Sequence, residues 1–171
     1  MTRLVTTLAL LAMALTVATP AHAASVDVSC TGTETATYQP GLTLRAKNVH
    51  TAVSGLLSPC TSPTTDITSG SYGQTFQATL SCDTLAAGLD ATRVIHWSDG
   101  STSAFAYHRA ITNAAGQTTV TFAGTITAGR FRGATAVEQA IFVTPNVTQC
   151  LTSGGLTALG PGPVVLTVNH L

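Results

Sequence analysis

Residues 92–126 read TRVIHWSDGSTSAFAYHRAITNAAGQTTVTFAGTI, and this stretch decides the fold class. Apolar and polar side chains alternate along it, which is typical of strands that bury one face. Two turn signals interrupt the alternation, at Asp99-Gly100 and at residues 113–116. Asp-Gly is favoured in two-residue hairpin loops, and four-residue loops are also common between antiparallel neighbours. The stretch therefore predicts a three-stranded antiparallel meander.

The two loop lengths assign a face to each side chain of this meander. A two-residue loop at Asp99-Gly100 places Val94 opposite Phe105, and a four-residue loop at 113–116 places Tyr107 opposite Phe122. The predicted core face carries Val94, Phe105, Tyr107, Val120, Phe122 and Ile126. The opposite face is small and rich in threonine, with Arg93, Ile95, Trp97, Ala104, Ala106, His108, Thr119, Thr121, Ala123 and Thr125. A register change of one residue would exchange the two faces.

The same alternation continues outside the meander, at residues 26–30, 49–53, 76–82, 137–143 and 164–168. Turn-forming residues separate these runs, among them Gln39-Pro40-Gly41, Ser58-Pro59 and the segment 160–163. Residues 83–89 have room for one short helical turn. We predict one all-β domain of about eight or nine strands, mostly antiparallel, arranged as a β-sandwich. A β-barrel is the alternative.

The first 23 residues have the three parts of a secretory signal peptide. Arg3 is the positive part, residues 4–18 are apolar and uncharged, and Ala21 and Ala23 are the small residues before a cleavage site. A membrane-spanning helix needs about 20 apolar residues, and this run is shorter. We predict a signal peptide at 1–23 and a secreted, extracellular domain at 24–171.

Charge is sparse in the predicted mature part, which holds six basic and seven acidic residues without runs of either sign. Proteins that bind nucleic acid carry a basic patch or stripe, and anionic membranes attract polybasic segments. We therefore expect no nucleic-acid partner, no membrane association after signal cleavage, and a monomer.

Four cysteines remain after the signal peptide, at Cys30, Cys60, Cys82 and Cys150. An even number in an exported chain indicates disulfides, and four cysteines allow three connectivities. No Cys-x-x-Cys pair or suitably spaced histidine favours a metal site. We favour Cys30–Cys60 with Cys82–Cys150, because the first pair brackets one predicted long hairpin.

Trp97 is the only tryptophan, and it falls on the predicted outer face beside Arg93 and His108. An exposed aromatic ring next to such groups could contact a sugar ring or a partner protein. A structural role is the stronger interpretation, with Trp97 covering the open side of a sheet or packing beneath a loop.

The segment 125–135 holds Arg130, Phe131 and Arg132 between Gly129 and Gly133. We interpret it as a tight connection whose glycines adopt backbone angles closed to other residues, with Phe131 filling the end of the core. The alternative is a cationic tip, formed by Arg130 and Arg132, that contacts an anionic partner.

Catalytic signals are weak. The histidines of the mature part stand alone in the sequence, no Gly-x-Ser-x-Gly motif occurs, and several acids lie in turn-like contexts. We predict no catalytic residue, cofactor or metal, and a non-catalytic domain that binds an extracellular protein or glycan. A small hydrolase is one alternative. A protease inhibitor that displays residues 56–63 is another.

Several motifs together resemble those of small secreted proteins common in actinomycetes. They are CTGTET from Cys30, PGLT from Pro40, WSDGSTS from Trp97, GTITAGRFRG from Gly124 and CLTSGGL from Cys150. The resemblance covers essentially the whole mature chain. It implies a β-rich extracellular domain and carries no functional residue over. The glycine-flanked aromatic segment is also similar to turns in secreted β-barrel families, which supports the barrel alternative.

Overall fold

The computed structural model describes residues 25–170, so the predicted signal peptide lies outside the described residues. Eight long strands account for most of this part of the chain. They are β1 (Ser25–Leu42), β2 (Lys47–Thr61), β3 (Gly70–Leu80), β4 (Leu89–Trp97), β5 (Thr102–Ala114), β6 (Gln117–Gly129), β7 (Thr135–Val143) and β8 (Leu156–His170). A 3-10 turn at Asp83–Ala86 lies within the predicted helical segment, and a short helix α1 spans Val147–Leu151. Neither is long and apolar enough to cross a membrane.

The strands form a closed antiparallel barrel in chain order, and β8 pairs with β1 to complete it. The all-β prediction is confirmed, and the architecture is the barrel alternative instead of the favoured sandwich. Closure depends on the pairing between the first and last strands, from Ser25 opposite His170 to Leu42 opposite Leu156. Closing the sheet removes the exposed edges that an open sheet would present.

Three of the predicted turns lie inside strands. Ser58 and Pro59 lie in β2 at a register shift, where Cys30 pairs with Cys60 but Gly32 pairs with Leu57. Segment 160–163 lies in β8 beside another register shift, and Gln39-Pro40-Gly41 lies near the end of β1. Proline has no N–H to donate, so within sheets it is confined mainly to bulges and edges. Here the proline-containing segments bend strands and do not reverse the chain.

The meander forms as predicted, but its registers differ. After β4 the chain turns through three residues, 98–100, between Trp97 and Ser101. The Trp97 N–H donates to the Ser101 carbonyl, and Gly100 has φ 82°. As a result Arg93 pairs with Phe105, and Val94 with Ala104. The predicted faces of β4 are therefore exchanged: Val94 is exposed, while Arg93, Ile95 and Trp97 are buried.

The β5–β6 loop is shorter than predicted, with Ala114 paired to Gln117, so Phe105 pairs with Ile126 and Tyr107 with Gly124. This register differs from the prediction by an even number of residues and leaves each side chain on its predicted face. The core residues predicted on these strands are confirmed as buried: Phe105, Tyr107, Val120, Phe122 and Ile126.

One end of the barrel is filled with packed side chains. Trp97 packs edge-on against Phe131 with ring centroids 5.9 Å apart, and its indole N–H donates to Ser103 Oγ at 2.8 Å. Phe131 has φ 62° between Gly129 and Gly133, both of which also have positive φ. The predicted role of this segment as a tight connection with Phe131 against the core is confirmed.

Two disulfides tie the barrel together, and both match the favoured pairing. Cys30–Cys60 links β1 to β2 in the filled half. Cys82–Cys150 joins the second residue after β3 to α1 at the other end, across 68 residues of sequence. The bridges are consistent with an oxidising extracellular environment.

The junction between β3 and β4 is the weakest in the barrel. Only Gly70, Ser71 and Tyr72 of β3 pair with β4, opposite Trp97, His96 and Ile95. Beyond these residues the strands diverge, and the Gln74 side chain spans the gap by donating to the Thr92 carbonyl at 2.8 Å. We call this gap the seam.

Candidate functional site

The half of the barrel opposite Trp97 encloses a cavity of about 680 Å³. Cavities of roughly 300–1,000 Å³ are typical of small-molecule sites. Its wall is mainly apolar and includes Ala36, Val53, Ala78, Leu80, Ala91, Ile111, Val120, Phe122, Phe142, Leu156 and Leu159. Three large apolar wall residues are exposed, and the cavity opens to solvent beside them: Leu44 at the barrel end, and Phe76 and Leu89 on the two sides of the seam.

The cavity exists because small side chains point inward in this half. Ala36 on β1, Ala78 on β3 and Ala91 on β4 line it. On β4, by contrast, the inward residues of the other half are Ile95 and Trp97, which fill the core. The change from small to large inward residues along one strand leaves one half hollow and the other filled.

A buried charged cluster forms the floor between the two halves. Arg93 is 2% exposed, and its Nη1 lies 2.7 Å from Glu138 Oε1 and 3.2 Å from Glu34 Oε2. The Tyr72 hydroxyl lies 2.7 Å from the same two carboxyl oxygens. Gly55 makes room for the Tyr72 ring, because a Cβ there would lie 2.0 Å from it.

The Arg93 guanidinium is also enclosed by aromatic rings. It lies 4.4 Å from the Tyr72 ring centroid, 4.8 Å from that of Tyr107 and 4.2 Å from that of Phe122. Such contacts stabilise a cation most when it is removed from water. Burial opposes the charge of Arg93, but interactions with Glu138, Tyr72 and Glu34 outweigh it and raise the pKa of Arg93, so this side chain stays charged.

Hydrogen-bond geometry assigns one proton to the two carboxyls. A tyrosine hydroxyl has a single hydrogen, yet Tyr72 lies within hydrogen-bond distance of both Glu34 and Glu138. Both contacts can be strong, linear hydrogen bonds at once only if a protonated carboxyl donates one of them. Glu138 is 0% exposed, and burial raises its pKa to about 7 against the opposing charge of Arg93.

Below about pH 7 we assign the proton to Glu138, because burial raises its pKa, and Tyr72 can then donate to Glu34. The remaining charges, Arg93 and Glu34, balance each other inside the barrel.

A second arginine lies higher in the cavity. Arg109 on β5 lines the wall and donates from Nη2 to the Ala87 carbonyl at 2.7 Å. Its Nε is buried without a hydrogen-bond partner, and within residues 25–170 its guanidinium forms no ion pair. Burial lowers the pKa of Arg109, but an arginine side chain remains charged at neutral pH.

The residues predicted as a binding surface do not form one. Trp97 is 4% exposed and packs at the filled end, and Arg93 is part of the buried floor, because the β4 register differs by one residue from the prediction. His108 remains outside, 2.8 Å from Asp90. Arg130 and Arg132 are exposed beside Phe131, at the end opposite the cavity.

Glu34, Glu138 and Arg109 were not predicted as site residues. Around Glu138 the more apolar residues, Val137 and Ile141, are the ones that face outward, while the inner face carries Ala136, Glu138 and Ala140. Apolar alternation alone would place Glu138 in solvent. The sequence did offer one signal: Glu34, Arg109 and Glu138 lie in strand segments, although the chain has few charged residues in all.

Comparison with known proteins finds no matching family model, no matching curated protein and no matching solved structure.

Proposed function

We propose that this chain is an exported, non-catalytic binding protein that holds one small, largely apolar molecule inside its barrel. The observation that carries the proposal is the 680 Å³ cavity, walled by apolar side chains and open at the barrel end and along the seam. Eight-stranded barrels have interiors wide enough either to be filled by side chains or to hold one small ligand. In this barrel one half is filled by side chains, and the other half is hollow.

The cavity supports a small-molecule ligand better than the glycan or protein partner expected from the sequence. The glycan hypothesis depended on an exposed Trp97, and this ring is buried against Phe131. A buried apolar wall would gain about 25 cal/mol for each Å² of ligand and protein surface removed from water. The ligand class is therefore hydrophobic in its main body.

Binding of a neutral fluorescent apolar probe, N-phenyl-1-naphthylamine, tests this proposal. We expect saturable binding to the purified protein and a loss of affinity of at least about ten-fold in Ala78→Phe, because the new ring occupies cavity space. Ala110→Phe is the matched control, since Ala110 is exposed on β5. Equal affinity in both variants, or no saturable binding by the wild type, would contradict the proposal.

A small hydrolase is the second candidate, and the convergence of Glu34 and Glu138 on one hydroxyl favours it. A carboxylic acid beside a carboxylate is the pair that glycoside hydrolysis uses. Both groups are, however, already bound to Arg93 and Tyr72, and only Glu34 borders the cavity. Turnover of chromogenic glycosides that is lost in Glu34→Gln, with the variant still folded, would favour this candidate over binding alone.

A further inference from the structure

We propose that the molecule held in the cavity carries a carboxylate, and that Arg109 binds this group. The inference rests on the proposed binding function and names the chemical class of its ligand. It follows from the different surroundings of the two arginines that line the cavity, Arg93 and Arg109.

Arg93 is a poor site for a ligand anion, although its Nε also has no hydrogen-bond partner among the described residues. Its charge is balanced by Glu34, its Nη1 is bonded to both carboxyls, and aromatic rings cover it. A ligand carboxylate at this depth would meet Glu34 and would have to displace an existing ion pair. The positive charge of Arg93 at the floor of the cavity is thus already balanced.

Arg109 differs from Arg93 because it forms no ion pair among the described residues. Its one bond goes to a backbone carbonyl, and its Nε–H is buried with no acceptor among the described residues. A buried donor without a partner costs about 1–3 kcal/mol of unfolding free energy, and a guanidinium is shaped to donate two parallel bonds to a carboxylate. A ligand carboxylate would supply the missing acceptor and the missing charge.

Tyr38 provides a neutral donor in the same part of the cavity. Its side chain lines the wall, and burial raises its pKa to about 12 in spite of the Arg109 charge nearby, so the hydroxyl keeps its proton. A cation and a neutral hydroxyl together favour an anion over a cation or an uncharged group.

The acids around the cavity do not offset this preference. Asp83 and Asp90 lie at the rim and are exposed, and Asp90 is paired with His108. Water screens such charges strongly, whereas Arg109 is half-buried. Glu34 is neutralised by Arg93. While Glu138 keeps its proton, the unbalanced charge inside the cavity is positive.

The experiment compares three ligands with the same twelve-carbon chain, dodecanoate, dodecanol and dodecylammonium. Each displaces the apolar probe at pH 6.0, below its solubility limit or critical micelle concentration. At this pH Glu138 keeps its proton, because burial raises its pKa to about 7. We expect dodecanoate to bind at least about ten-fold tighter than either of the others. Arg109→Gln should remove that advantage and leave dodecanol unchanged, while Arg109→Lys should restore part of it. Arg132→Gln is the control, because Arg132 is exposed far from the cavity.

The outcomes separate the two proposals. If the probe does not bind, the binding function fails and this inference fails with it. If the probe binds but dodecanoate does not displace it, the binding function stands and the carboxylate assignment is wrong. If all three bind equally, or dodecylammonium binds tightest, the cavity is a binding site and the carboxylate assignment is wrong. An advantage for dodecanoate that survives in folded Arg109→Gln would likewise overturn the role of Arg109.

Discussion

Glu138 is a carboxylic acid held neutral in the middle of a barrel, and its titration should be visible in the stability of the whole protein. Burial raises its pKa from 4.5 to about 7. Between these two values the folded state keeps a proton that the unfolded chain releases, so the free energy of unfolding falls as pH rises through this window and levels off above it. The slope is about 1.4 kcal/mol per pH unit.

Glu138→Gln should remove this pH dependence, because an amide replaces the neutral acid and does not titrate. We expect the variant to lie within about 1 kcal/mol of the wild type at pH 5 and to gain on it by about 3 kcal/mol at pH 8. Urea unfolding of both proteins at the two pH values measures the difference. Parallel pH profiles for the two proteins would show that Glu138 ionises normally.

Replacement of Arg93, which lies in the same buried cluster, should lower the free energy of unfolding strongly. Arg93→Met deletes the cation that balances Glu34 and leaves a carboxylate in apolar surroundings. Removing one member of a buried pair costs about 3–5 kcal/mol of unfolding free energy. The matched control is Arg130→Met, which removes an exposed arginine. A loss below 1 kcal/mol at Arg93, measured by urea unfolding, would contradict the buried-pair assignment.

At the scale of the element, the two edges of β3 differ in their hydrogen bonding because of the seam. All of β3 pairs with β2, but beyond Tyr72 it does not pair with β4. Since successive N–H groups of a strand point to opposite neighbours, we expect alternate amides of residues 73–80 to exchange quickly with solvent deuterium and the others slowly. Amide exchange followed by NMR measures this, with residues 135–140 of β7 as the control because they pair on both sides. Uniform protection along β3 would mean that the seam is closed in solution.

The strands also show how far sequence patterns reach. Alternation predicted the buried faces of β5 and β6, since an error of two residues in register keeps every side chain on its face. The same method failed on β4, because a three-residue turn in place of a two-residue turn shifts the register by one. For this reason Trp97 and Arg93, which were predicted on the outer face, lie inside the barrel.

Closure and the cavity lay beyond these patterns for a different reason. Both depend on pairing between β1 and β8, which are far apart in sequence, and on which inward positions hold alanine. Nothing local distinguishes a strand of a sandwich from a strand of a barrel. The disulfide pairing was within reach, because Cys30 and Cys60 lie on one hairpin.

At the scale of the whole molecule, Cys82–Cys150 holds the open end of the barrel together. Both cysteines border the cavity, and the bridge closes a loop of 68 residues. In the chain-entropy model, Cys82→Ala with Cys150→Ala should lower the free energy of unfolding by about 4 kcal/mol. The Cys30→Ala, Cys60→Ala pair closes a shorter loop and should cost about 0.5–1 kcal/mol less. Urea unfolding under non-reducing conditions measures both, and the reverse order would contradict this account.

The most weakly paired junction of the barrel is not the one at which the two ends of the described chain meet. Ser25 and His170 lie opposite each other on two extensively paired strands, whereas the least paired junction is between β3 and β4. A circular permutant that joins residue 170 to residue 25 through a short linker, and begins and ends within residues 83–88, would cut the ring where it is already nearly open. The same eight strands would then form a sheet whose natural edges are β4 and β3.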